Sequence, residues 1–163
     1  MIEMPIVKPI LPETKGKPWW KRLFIVLFTR TKWELVEDYY LLLPNGTQLR
    51  RRVPFIFDGA SVPIFFWWIP GLSPTGILFI QGLFHDDFYA NGFVELILLN
   101  GEVLCWGKGE GRAFGDDLFL DIGMMVNGMV VWDYVAWAAV RLGGWKAWKE
   151  HRKNEATLPS DTL

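Results

Sequence analysis

His85 and Asp86 stand side by side in the run His85-Asp86-Asp87-Phe88-Tyr89, and Asp116 follows in a separate stretch. These residues form the constellation in the chain best suited to hydrolytic or metal chemistry. A neutral imidazole takes a proton from water near physiological pH, because its unperturbed pKa is about 6.5. It needs a carboxylate on its other nitrogen to fix its tautomer. On a helix, His85 and Tyr89 lie one turn apart and share a face, whereas Asp86 is rotated by about 100°. His85 is therefore the candidate general base, with Asp86 facing a cation beside it. Asp116, early in a following helix, orients the imidazole if the two helices pack antiparallel, and Tyr89 can hydrogen-bond the same carboxylate.

Asp58 is a second candidate metal ligand. It opens the loop Asp58-Gly59-Ala60-Ser61-Val62-Pro63, whose carboxylate or carbonyl oxygens can approach Asp86. Oxygen-rich sites favour calcium, with magnesium second. Zinc is disfavoured, since one Cys and two His cannot build its usual ligand set. A structural role fits the same residues. A His and an Asp near the end of a buried helix satisfy hydrogen bonds and cap neighbouring loops. Asp58 likewise caps a turn, and Asp86-Asp87 suits a solvated helix end. Elsewhere, Gly107-x-Gly109-x-Gly111 lacks the strand-to-helix context of a phosphate loop and reads as a flexible return. Ser61 lacks a nucleophile elbow.

The elements that must position these residues follow from pattern and turn chemistry. Residues 1–18 carry Pro5, Pro9, Pro12 and Pro18 without a period and read as an extended arm, loose or laid along a neighbour. Trp19–Phe28 is a short basic and aromatic segment, helix or strand. Trp33–Leu43 reads as one strand, and Asn45-Gly46 as a type I′ turn returning through Thr47–Val53. A second hairpin fits Val94–Leu99 and Glu102–Trp106 around Asn100-Gly101. Helices are expected at about 75–90, capped by Ser73 or Thr75, at 112–126, and at 129–150, the last loosened by Gly143-Gly144. The fold class is α+β, small antiparallel hairpins packed on two or three helices, with residues 19–150 as one globular domain and 151–163 as a polar tail.

At 163 residues, 51% of them hydrophobic and 21% charged, the chain suits one globular core. A net charge of −1 gives no broad field for capturing nucleic acid, and no nucleic-acid partner is expected. The basic runs Arg50–Arg52 and Lys146–Lys153 read as solvated faces. Ten Trp and twelve Phe exceed what so small a core can hide, so an apolar surface should meet a partner or lipid. Gly144-Trp145-Lys146-Ala147-Trp148 is one such amphipathic segment. Cys105 stands alone, which excludes an intrachain disulfide. Leu23–Phe28 is too short for a secretory core, so no signal peptide is expected. The apolar stretch 123–145 is interrupted by Asn127, Asp133 and Arg141. Its spacing of Asp133, Trp137 and Arg141 gives a helix with one polar stripe rather than a membrane span.

His85-Asp86-x-x-Tyr89, followed by Asp116-x-x-Phe119, resembles the catalytic helix pair of phospholipases A2, and Asn91 echoes their bacterial and fungal branch. That resemblance implies His85 as general base, Asp86 as calcium ligand, Tyr89 as support and Asp116 as the residue orienting His85. The paired cysteines and usual glycine-rich calcium loop of those enzymes are absent. A longer pattern, Asp58-x-Ala60-Ser61-x-Pro63, His85-Asp86-x-x-Tyr89 and Arg112-x-x-x-Asp116-x-x-Phe119, then a Trp-rich terminal helix, resembles a phage-associated domain family of unknown function. It spans residues 33–148, with the hairpin at 94–106 as an insertion. It implies a virion-associated protein of the tail or tail tip, located in the virion or in host cytoplasm before assembly. Its partners would be other virion proteins, met through aromatic surfaces and the N-terminal arm, with contact to lipid or envelope. The alternative implied role is an active calcium-dependent hydrolase of lipid or another envelope component.

Overall fold

A computed structural model describes residues 2–28, 32–58, 76 and 78–155, excluding the side chains of 26–28, 154 and 155. Among these described residues the architecture is α+β, with two antiparallel sheets beside five helices. The first sheet has the order β1 (Val7–Ile10), β2 (Lys32–Leu35), β5 (Ile56–Phe57). The second runs β3 (Tyr39–Leu42), β4 (Gln48–Arg51), β6 (Val94–Ile97), β7 (Val103–Trp106). The Pro-rich arm is thus partly built into the fold, since β1 pairs with β2 and Tyr39 Oη donates to the Glu3 carbonyl at 2.8 Å.

The expected single strand 33–43 is two strands in different sheets. Glu37-Asp38 interrupts the segment, Val36 N–H donates to the Ile6 carbonyl at 2.9 Å, and Tyr39 starts afresh opposite Arg51. The alternation then holds in β3, where Tyr39 and Leu41 are buried while Tyr40 and Leu42 are exposed.

Both hairpins lie where Asn-Gly placed them, with a different turn. A type I′ turn needs positive φ at both central residues, yet only glycines among the described residues have positive φ. Gly46 (φ 84°) and Gly101 (φ 84°) close the turns by donating to the carbonyls of Leu43 and Leu98. Asn45 and Asn100 stay at negative φ and use their side chains instead. Their Oδ1 atoms accept from Thr47 N–H at 3.1 Å and Glu102 N–H at 2.9 Å. Pro44 favours this arrangement by fixing φ at the first central position.

The helices are α1 (Trp19–Phe28), α2 (Phe79–Asn91), α3 (Arg112–Val126), α4 (Val130–Gly143) and α5 (Trp145–Glu155). The helix expected at 129–150 is divided at Gly144, and α5 reaches into the stretch expected to be a polar tail. Ser73 and Thr75, the expected caps of α2, lie outside the described residues, as does the 59–63 part of the Asp58 loop. Apolar residues surround α2 so completely that Phe84, Phe88, Leu83 and Ile80 all lie at 1% exposure or less. Its neighbour α3 runs antiparallel to it: Phe88 packs on Phe114 near the start of α3, while Gln81 meets Asn127 just past its end. The close approach depends on Gly115, where an added Cβ would lie 2.5 Å from the Phe88 ring. Among the described residues, no helix is long and apolar enough to cross a membrane. The apolar stretch 123–145 is instead parts of α3 and α4 joined by a turn, with Asp133 fully buried in it.

Candidate functional site

The antiparallel α2–α3 pair brings His85, Tyr89 and Asp116 together. His85 Nε2 lies 3.2 Å from Asp116 Oδ1, and Tyr89 Oη donates to that same oxygen at 2.6 Å. An ionised carboxylate only accepts, so the hydrogen must sit on Nε2, leaving Nδ1 as the basic nitrogen. Nδ1 points toward Asp86, whose Oδ1 is 3.6 Å away. The Tyr89 ring lies 4.1 Å from the imidazole, centroid to centroid, and Phe119 presents its edge to it at 5.5 Å. The ring is therefore clamped between two aromatic neighbours, both one turn along their helices from a member of the polar pair.

Asp116 Oδ2 carries two further donors. Arg112 Nη1 donates to it at 2.9 Å from one turn earlier in α3, and Arg141 Nη1 at 3.3 Å from α4. Burial alone would push the Asp116 carboxyl up. The hydrogen bonds from His85 and Tyr89, then the positive charge of His85 and Arg112, outweigh it and hold the group below the usual carboxylate range. For His85 burial pulls the pKa down, but the bonds and charges of Asp116 and Asp86 reverse the direction and raise it.

Asp86 is in the opposite situation. Burial pushes its carboxyl up to about 7, against the pull of His85 and with the help of the neighbouring Asp58 charge. Its Oδ2 atom is buried without a hydrogen-bond partner among the described residues. Two adjacent carboxylates, one with an orphaned oxygen, match the hard oxygen donors that calcium takes. Among the described residues, however, no group of three or more His, Cys, Asp or Glu side chains could hold a metal ion. Asp58 and Asp86 are the two carboxylates of the cleft that would contribute to such a site.

His85, Asp86, Asp58 and Tyr89 all line one cleft of about 670 Å³. Phe55, Phe57, Val140 and Ala147 give it an apolar wall, and Lys32, Lys146 and His151 contribute cationic or titratable groups. This combination of an apolar wall with a few convergent polar groups is the usual form of a small-molecule site.

Several contacts around the site join residues far apart in the sequence. Arg141 was legible as part of a polar stripe on α4, but not as a partner of Asp116. The stripe faces α3, with Trp137 Nε1 donating to Asp117 at 3.1 Å and Arg141 also donating to the Ala113 carbonyl at 3.1 Å. Arg50–Arg52 is not a solvated face. Arg51 pairs with buried Asp87 at 2.7 Å, and Arg50 and Arg52 both reach Glu95, at 2.6 and 3.1 Å. Asp87, expected at a solvated helix end, is 1% exposed. Arg152, in the expected tail, donates to the Tyr89 and Ala90 carbonyls at 2.9 and 3.1 Å and so ties α5 to the end of α2.

Set against known proteins, the chain matches no family model, no curated protein and no solved structure.

Proposed function

We propose that this chain is a hydrolase of phospholipase A2 type, cutting an ester of lipid or another envelope component. The observation that carries the reading is the His85 Nε2 contact with Asp116 Oδ1, reinforced by Tyr89 on the same oxygen and set beside Asp86 in the cleft. In the reaction, His85 Nδ1 removes a proton from water as the water oxygen attacks the ester carbonyl. Asp116 keeps the imidazole oriented and stabilises the imidazolium that forms. The imidazolium then returns the proton to the departing alkoxide, which leaves as an alcohol while the acid is released. Asp86 and Asp58 would hold a calcium ion, which when bound supplies positive charge beside the developing oxyanion. The apolar wall made by Phe55 and Phe57 suits an acyl chain.

The order of the Asp58, His85, Arg112 and Asp116 motifs supports placing this activity in a bacteriophage virion, at the tail or tail tip, acting on the host envelope during infection. Other virion proteins are the proposed partners.

A second reading is that the cluster is purely architectural within the same virion setting. Asp116 is saturated by four donors from three helices, and His85 is only 3% exposed, as a helix-locking network would require. Purified protein with a fluorogenic phospholipid, with calcium or with a chelator, separates the two. Turnover that needs calcium and disappears in His85→Gln is the expected result. Absence of turnover under all conditions, in protein that co-sediments with phage particles, would establish the architectural role instead.

A further inference from the structure

Outside the cleft, α1 shows a surface that the core leaves uncovered. Trp19 is 75% exposed, Trp20 54%, Leu23 51% and Phe24 63%. At about 100° per residue these four side chains fall within an arc of about 140°, while Lys21 and Arg22 lie on the remaining face. Both basic residues are exposed; the Lys21 ammonium sits 5.1 Å over the Trp20 ring and Arg22 Nε donates to the Lys17 carbonyl at 2.6 Å. The element is thus an amphipathic helix with its aromatic and leucine side outward.

Its charge says what covers it. Between Thr14 and Trp33 the sequence holds six basic residues, Lys15, Lys17, Lys21, Arg22, Arg30 and Lys32, and no acidic residue. The chain as a whole carries −1, so the rest of the molecule is distinctly acidic. A run of basic residues on either side of exposed Trp, Leu and Phe in the sequence matches a bilayer interface with anionic headgroups, where tryptophan rings settle at headgroup depth and basic side chains reach the phosphates. We infer that α1 is a membrane-docking helix that lays Trp19, Trp20, Leu23 and Phe24 into the surface of an anionic bilayer.

The position of α1 adds a consequence. Four residue steps join Phe28 to Lys32, a span of at most about 15 Å, and Lys32 lines the cleft that contains His85. Docking therefore holds the cleft near the bilayer. The surface itself stands independently of any chemistry at His85.

Full-length protein is mixed with vesicles of phosphatidylglycerol and phosphatidylcholine in equal parts, or of phosphatidylcholine alone, and sedimented. The protein should sediment with the anionic vesicles and lose most of that binding in high salt. Each basic residue near such a surface contributes about fivefold, so Lys21→Glu with Arg22→Glu should weaken binding at least about twentyfold. Trp19→Glu with Leu23→Glu should weaken it at least about tenfold with an unchanged melting curve, and His85→Gln should bind as wild type. No sedimentation, equal binding to both vesicle types, or unaltered binding in the two double variants would overturn the inference. So would a dimer in solution that Trp19→Glu with Leu23→Glu dissociates while no vesicle binding occurs, since a second copy would then be the occupant.

Discussion

His85 Nε2 and Asp116 Oδ1 lie 3.2 Å apart although 31 residues separate them in the chain. The contact exists because α2 and α3 pack antiparallel, and a hairpin and a glycine-containing return fill the interval between them. It also places one carboxylate under four donors, so that a single side chain ties α2, α3 and α4 together.

Asp116→Asn keeps the shape of the side chain but removes the charge that faces two guanidinium groups. Breaking a buried ionic network in this way costs roughly 3–5 kcal/mol. Urea denaturation should show a loss in the lower part of that range, because Arg112 and Arg141 retain some access to water. Tyr89→Phe removes one donor only and should cost about 1.5–3 kcal/mol. A loss below about 0.5 kcal/mol in both variants would show that the network does not hold the helices.

The helix contact itself is tested at Gly115. Alanine there puts a Cβ 2.5 Å from Phe88, and the ring has no flexible end to yield, so Gly115→Ala should destabilise by about 1–3 kcal/mol. Gly111, at the start of the same helix, has nothing within 4 Å and no positive φ, so Gly111→Ala should be near neutral. Equal effects at the two positions would contradict the close packing of α3 on α2.

Arg51→Met leaves Asp87 buried without its cation. The Asp87 carboxyl is pushed up to about 7 by burial, with Arg51 opposing that push. Removal of Arg51 should therefore cost roughly 2 kcal/mol or more at pH 8 and less at pH 5, where the carboxyl takes a proton instead. A penalty independent of pH would mean that the pair contributes packing rather than charge.

Stability should also depend on pH in the unmodified protein. His85, Asp86 and Asp87 all have folded pKa values above their ordinary ones, so the folded state binds more protons than the unfolded state between about pH 4 and 7. Their contribution to stability is present at low pH and is lost as pH rises through the folded pKa values. Asp116 acts in reverse, its pKa being lowered, and its contribution disappears only below the ordinary carboxylate range. The melting temperature without calcium should consequently rise by about 3 °C or more from pH 8 to pH 5.5. Calcium at pH 8 should recover part of this difference by binding the ionised carboxylates, and a melting temperature flat across that range would count against the buried pair.

Where the sequence was informative, the signal was local. Asn45-Gly46 and Asn100-Gly101 located both hairpins because glycine at positive φ is demanded by short turns, although Asn side-chain bonding selected another turn type. The one-turn relation of His85 to Tyr89 and the 3.6-residue period gave the shared face on which Asp116 acts. What stayed hidden depends on distant strands and helices. Arg51 finds Asp87 across 36 residues, and three arginines in a row read as solvated until that partner is placed. The pairing of Val36 with Ile6, 30 residues earlier, is of the same kind, although Glu37-Asp38 already marks where β2 and β3 part.

Asp116 fixes His85 with its hydrogen on Nε2 and leaves Nδ1 to accept a proton. Nitrogen NMR of protein labelled in its imidazole rings, followed from pH 5 to 9, reads this directly. A titration midpoint above 6.5, ending in the Nε2–H tautomer with Nδ1 bare, is the expected result. A ring that ends with its hydrogen on Nδ1, or that titrates below 6.5 and is unmoved by Asp116→Asn, would contradict it.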